Sequence, residues 1–205
     1  MVNKFKAHPW HGIPIGEEAP SIVNAFIEIV PTDTVKYEID KETGYLKIDR
    51  PQKFSNVVPA LYGFIPQTYC DERIAAYASE KSGKKIDRGD GDPLDICVLS
   101  ERTIIHGDLF LHAIPIGGFR LIDKGEADDK IIAVMKDDGV YQDWKDIKDC
   151  PAAIILRLQH YFLTYKNIPG VEASHCEIAN IYGREEAYEV INRSREDYKN
   201  KFLLS

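Results

Sequence analysis

Val35-Lys36-Tyr37-Glu38-Ile39-Asp40-Lys41-Glu42-Thr43-Gly44-Tyr45-Leu46-Lys47-Ile48-Asp49-Arg50 reads as a β-hairpin. Residues 35–40 alternate with period two, as a strand with one wet face does. Lys41-Glu42-Thr43-Gly44 then turns the chain into residues 45–50. The same kind of signal continues outward from this hairpin. Residues 22–30 read as a strand upstream, and 95–100, 109–116, 118–123 and 130–136 fit strands downstream. So many short strands, split by Gly, Pro and Asp, predict a small closed barrel and not a doubly wound parallel sheet.

The C-terminal third changes period. Asp149-Cys150-Pro151 is a helix start, with proline near the first turn. Ile154, Ile155, Leu158, Tyr161, Phe162 and Tyr165 then recur at three-to-four-residue spacing until Pro169-Gly170 closes the element. A last helix covers 184–202, with Ala187, Val190, Ile191 and Tyr198 on one side. Residues 1–20 read as an irregular N-terminal arm. Residues 71–89, with Lys81, Lys84 and Lys85, read as a polar insert: a solvated, mobile loop. The 205 residues are expected to form a single domain, 1–205.

Composition narrows the function. Apolar content of 44% and charged content of 29% describe an ordinary globular protein. The net charge of −7 disfavours nucleic acid as a partner. No apolar run reaches membrane-spanning length, and Met1-Val2-Asn3-Lys4-Phe5-Lys6 lacks the apolar stretch of a signal peptide. Cys70, Cys97, Cys150 and Cys176 are far apart and form no Cys-x-x-Cys pair, so reduced thiols in a cytoplasm are expected. His8 and His11 fit a surface or interface arm better than a ligand pair.

Chemistry concentrates in Asp90-Gly91-Asp92-Pro93-Leu94-Asp95, which places three carboxylates in six positions ahead of an apolar run. Carboxylates this close raise one another's pKa unless a cation sits among them, and hard ions such as Mg²⁺ prefer such oxygen donors. In an extended backbone Asp90 and Asp92 would share a face, roughly 6.6 Å apart. Asp-Gly and Asp-Pro are also surface-turn chemistry, so the run by itself fits a turn as well as a metal site. A calcium loop of the EF-hand type fails, because Asp95 stands where its glycine belongs. A second acidic cluster, Asp123-Lys124-Gly125-Glu126-Ala127-Asp128-Asp129-Lys130, lies between two strands as the first does.

Taken together, these segments resemble the magnesium-dependent soluble inorganic pyrophosphatases of family I, from about Ser21 to Lys166. The signature Asp-x-Asp-Pro-apolar-Asp is present without mismatch at 90–95. Phe26-Ile27-Glu28-Ile29-Val30, Val35-Lys36-Tyr37-Glu38-Ile39-Asp40, Asp49-Arg50, Pro59 to Pro66, Asp123, Asp128, Lys130, His160-Tyr161-Phe162 and Tyr165-Lys166 match further segments in order. The resemblance implies a mainly β fold with α elements: a five-stranded OB-type β-barrel with two helices in the C-terminal half. It implies hydrolysis of inorganic pyrophosphate to phosphate by direct attack of water. Asp90, Asp95 and Asp128 would ligate two metals, and Asp123 with Glu28 would serve further Mg²⁺ ions, several per site. Asp92 would accept the proton of the water. Lys36, Arg50, Tyr62, Lys130, Tyr165 and Lys166 would bind phosphate oxygens, with Glu38 in support. It also implies a homo-oligomer, with a hexamer favoured. Val58 departs from the pattern, standing where many members carry a tyrosine.

The physics agrees with those implied roles. Phosphoryl transfer rests on positioning and charge neutralisation, which carboxylates, metals, Lys and Arg supply. Two metals about 3.5–4 Å apart brace an in-line displacement. A Nudix hydrolase would need a box that Arg184-Glu185-Glu186-Ala187-Tyr188-Glu189 fails to match. An OB-type nucleic-acid binder would want a basic groove with exposed aromatics, whereas this pocket is acidic.

Overall fold

The computed structural model describes residues 6–171 and 175–204, so the first five residues of the expected arm lie outside the described residues. Among the described residues ten strands and three α-helices form in chain order: β1 (Val23–Ile29), β2 (Val35–Ile39), β3 (Leu46–Pro51), β4 (Leu61–Phe64), α1 (Glu72–Ser82), β5 (Arg88–Gly89), β6 (Asp95–Leu99), β7 (Leu109–Asp123), β8 (Glu126–Ala127), β9 (Lys130–Met135), α2 (Ala152–Thr164), β10 (Cys176–Gly183) and α3 (Arg184–Phe202). Strand β1 pairs with β4 on one side and β7 on the other, and the path β1-β4-β6-β9-β7 returns to β1. Five strands thus close a ring, as the barrel reading expected. Closure removes the free strand edges that an open sheet of this size would expose. Strands β2 and β3 form the separate hairpin.

Strand β1 is buried along its whole length, Glu28 included. The adjacent residues Phe26 and Ile27 point to opposite faces and pack in different core clusters, so the strand is apolar on both faces. Gly63 is required where β4 crosses β1, because a Cβ there would lie 1.8 Å from the carbonyl oxygen of Phe26. Helix α2 covers one side of the barrel with Ile155, Leu158 and Phe162 against Phe119, Leu121, Ile132 and Val134. Helix α3 covers the other with Ala187, Val190 and Ile191. Each buried Val, Leu, Ile or Phe among them contributes about 1.5–3 kcal/mol through the area it removes from water. Among the described residues no helix is long and apolar enough to cross a membrane.

Several expectations change. Segments 109–116 and 118–123 are one strand, continuous through a bulge between Pro115 and Gly117. Proline lacks an amide donor and is tolerated at such a bulge. Residues 71–89 are not a mobile loop but carry α1 and β5. Ile74, Ala75, Tyr77 and Ala78 fall at helical spacing and are buried, while the lysines around them point outward. The arm is packed as well: Trp10 is buried and its indole N–H donates to the carbonyl of Thr68 at 2.8 Å. His11 stacks on Trp10 and hydrogen-bonds the hydroxyl of Tyr198 at 2.8 Å.

Candidate active site

The acid loop is a turn and not an extended run. Gly91 has φ +76°, a conformation open to glycine without strain. The backbone N–H of Asp92 donates to Asp90 Oδ1 at 3.0 Å, closing an Asx turn. The loop is stitched to residues 65–70. Cys70 N–H donates to the Asp92 carbonyl at 2.9 Å, Gly91 N–H to the Cys70 carbonyl at 3.1 Å, and Leu94 N–H to Thr68 Oγ1 at 2.9 Å. With its side chain fully buried, Leu94 anchors the turn from below. The three carboxylates are therefore fanned from a fixed turn, with Asp95 opening β6.

Sheet register then assembles the rest. Asp95 of β6 and Lys130 of β9 are neighbours in the parallel ladder. The Lys130 ammonium sits between Asp95 Oδ2 and Asp128 Oδ1, in close contact with both. Tyr62 of β4 donates its hydroxyl to Asp95 Oδ2 at 2.6 Å. Burial alone would lower the Lys130 pKa, but Asp128 and Asp95 outweigh it and hold the ammonium well above its ordinary range. Burial first, then the charge of Asp128, pushes the Asp90 carboxyl well up; burial likewise raises Asp128.

Two β-bulges aim further groups. The β1–β4 register slips between Ile27 and Ile29, leaving Glu28 as the extra residue. A bulge re-aims a side chain in this way. Glu28 Oε1 accepts the N–H of Ile39 at 2.7 Å, and burial pushes its carboxyl up to about 8. In the hairpin, Lys36 pairs with Arg50 but Tyr37 pairs with Ile48, which makes Asp49 the extra residue. Lys36 donates to Glu38 and Asp49, both at 2.9 Å.

A cavity of about 90 Å³ is lined by Glu28, Lys36, Glu38, Lys41, Tyr62, Asp92 and Asp95, with Ile39, Phe64 and Pro93. Asp90, Asp128 and Lys130 adjoin it through Asp95. Arg50 and Tyr165 stand close to each other, with the guanidinium 6.0 Å from the ring centre. Lys166 pairs with Asp123 and lies over the Tyr165 ring at 5.2 Å. Neither that group nor Arg50 lines the cavity itself. Lys41 was missed by the sequence reading and faces Asp92 directly. It is a turn lysine, for which solvent is the ordinary destination, and no local pattern marks it as part of the cavity.

Among the described residues no three carboxylate, histidine or cysteine side chains already stand as a metal cage. The donor set nonetheless fits a hard divalent cation in kind. It is all oxygen, several of its carboxyls are destabilised by burial and mutual repulsion, and their compensating charge is a lysine.

The sequence profile described as inorganic pyrophosphatase matches residues 25–199. The chain belongs to the inorganic pyrophosphatase family. It is 52% identical over 199 residues to an inorganic pyrophosphatase of Chlamydia caviae, covering 95% of this chain and 92% of the relative. Among solved structures, the inorganic pyrophosphatase of Thermus thermophilus superposes with a TM-score of 0.78 at 28% identity, covering 94% of this chain and 99% of that one. That of Neisseria gonorrhoeae gives 0.74 at 30% identity, covering 91% and 96%.

Proposed function

We propose that the protein hydrolyses inorganic pyrophosphate to two orthophosphates, with water as the nucleophile and Asp92 as the general base. The observation that carries this reading is the convergence of Asp90, Asp92, Asp95 and Asp128 with Lys36, Lys130 and Tyr62 around one small cleft. Asp90, Asp95 and Asp128 would hold Mg²⁺, with Asp123 and Glu28 serving further ions. Bound Mg²⁺ neutralises phosphate charge and lowers the pKa of water.

The chain's own residues supply the remainder. Lys36 and Arg50, adjacent across the hairpin, orient phosphate oxygens from one side. Lys130 and Tyr62 receive them from the barrel, Tyr165 and Lys166 stand with Arg50, and Glu38 keeps Lys36 in place. The water oxygen forms a bond to one phosphorus, the bridging P–O bond breaks, and the proton passes to the Asp92 carboxylate. No covalent enzyme intermediate is needed, and none of the cysteines lines the cleft. The four cysteines are free, which suits a cytoplasmic setting.

The chain would act as a homo-oligomer, a hexamer being favoured. In support, Leu156 and Leu163 are exposed on α2 beside His160. Light scattering tests that assembly. Phosphate release from pyrophosphate, with and without millimolar Mg²⁺ and with ATP as control, tests the reaction. Rapid Mg²⁺-dependent release from pyrophosphate alone is expected. Absence of release would overturn the reading, and equal cleavage of ATP would replace it with a nucleotide hydrolase.

A further inference from the structure

We propose that Lys41 is the positioning residue for Asp92, holding one carboxylate oxygen so that the other meets the attacking water. The inference rests on the pyrophosphatase reading and deepens it by naming what aims the base. The backbone of Asp92 is already pinned, by Asp90 Oδ1 on its N–H at 3.0 Å and by the Cys70 N–H on its carbonyl at 2.9 Å. Only the side-chain torsions remain to be set. The Lys41 ammonium contacts Oδ1, and among the described residues no hydrogen bond is made to Oδ2.

Lys41 is itself held by a built turn. Asp40 Oδ1 accepts the N–H of Thr43 at 2.9 Å and its hydroxyl at 2.7 Å, and Gly44 N–H donates to the Asp40 carbonyl at 2.8 Å. Gly44 has φ +75°, and a Cβ there would lie 2.8 Å from the His8 ring and 3.0 Å from Pro9. The N-terminal arm therefore seats the hairpin turn that presents Lys41. Lys36, the other lysine of the cavity, is taken up by Glu38 and Asp49. Lys41 remains as the cation that reaches across from the hairpin to the acid loop. A charged donor on one oxygen restricts rotation of the carboxylate, and small misplacement of a reacting group is costly in rate.

The test is a cycle of Lys41→Met, Lys41→Arg, Asp92→Asn and the Lys41→Met/Asp92→Asn double variant, assayed on pyrophosphate at saturating Mg²⁺. Lys41→Met should lower kcat about tenfold with KM within about twofold, the pattern of a group acting on the transition state. Lys41→Arg should restore most of the loss. On the Asp92→Asn background, Lys41→Met should cost nothing further, because the residue acts only through Asp92. A crystal structure of Lys41→Met should show the Asp92 carboxylate turned or split between rotamers. An additive loss, a raised KM at unchanged kcat, or an unmoved carboxylate would overturn the role. The Lys41 side chain is about half exposed (47%), so the variants are expected to fold. Parent turnover separates the two readings: an inactive parent sinks the pyrophosphatase assignment, whereas an active parent with additive variants sinks only the Lys41 role.

Discussion

Asp197 of α3 accepts the backbone N–H of Asp71 at 3.1 Å, at the very start of α1. It also accepts those of Arg73 and Ile74, each at 3.2 Å. The helix's own N-cap residue, Asp71, makes no side-chain cap, so the capping carboxylate arrives from another helix. Helix N-termini leave unpaired donors and favour negative charge. Asp197→Ala should therefore destabilise the fold by about 2 kcal/mol, and Asp197→Asn by less, read as a shift in urea midpoint. An unmoved midpoint would mean that Ile74 and Tyr77 anchor α1 by packing alone.

Arg120 ties the same region to the acid loops. Its side chain is fully buried, its guanidinium lies 5.0 Å from the Tyr77 ring and 5.1 Å from the Tyr182 ring, and Glu186 is 2.7 Å away. Asp129, beside Asp128, is 3.5 Å away and also receives the Tyr182 hydroxyl at 2.9 Å. Removing one member of a buried charge cluster leaves the others uncompensated. Arg120→Ala should cost about 3–5 kcal/mol in thermal or urea unfolding. The triple variant Arg120→Met/Asp129→Asn/Glu186→Gln should recover most of that. A single variant as stable as the parent would show that the cluster carries no net electrostatic stake.

Much of this arrangement was legible in the sequence, and the gaps have physical reasons. The hairpin 35–50, the strands around it and both later helices were readable because period-two and period-3.6 patterns were strong there. Strand β4 was hidden by its length, only Leu61 to Phe64, and by the glycine that close packing against β1 demands. Helix α1 was hidden because its buried face holds small residues and a tyrosine among lysines and serines. The carboxylates and lysines of the candidate site are named by motif order alone, and the fold brings Asp95, Asp128 and Lys130 into contact. Lys41 and the Asp49 bulge were not legible, since both depend on how the hairpin is folded against the barrel and on no local pattern.

Metal binding should be visible without turnover. Burial disfavours the charge of both Asp90 and Asp128, with the charge of Asp128 adding to it at Asp90 and that of Asp95 at Asp128. A ligand that binds only the folded state stabilises it by mass action, about 2.7 kcal/mol at a hundredfold excess over Kd. Mg²⁺ should thus raise Tm in a concentration-dependent way, and EDTA should reverse the rise. Asp128→Asn should lose most of the shift. A full shift in that variant would remove Asp128 from the proposed ligand set.

Lys36 and Arg50 face each other across the hairpin, so they should act on the same phosphate group. Either residue changed to Ala should lower kcat/KM by about 10–100-fold, as loss of a charged hydrogen bond to a phosphate oxygen does. Because the two share one group, the double variant should lose less than the product of the single effects. Strict multiplicativity would place them on different phosphates.

Asp92 separates binding from chemistry. Its backbone is held by Cys70 and Asp90 independently of its carboxylate, so Asp92→Asn should leave the turn intact. An amide keeps the shape but cannot take a proton, and general bases contribute about 10²–10⁴-fold to turnover. The expected result is a kcat reduced by that factor, a Tm near the parent's, and a retained Mg²⁺-induced rise in Tm. Loss of turnover together with the Mg²⁺ shift would make Asp92 a ligand instead. Near-parental kcat would move the base elsewhere, with Glu28, whose carboxyl is pushed up to about 8 by burial and which lines the same cavity, as the group to test next.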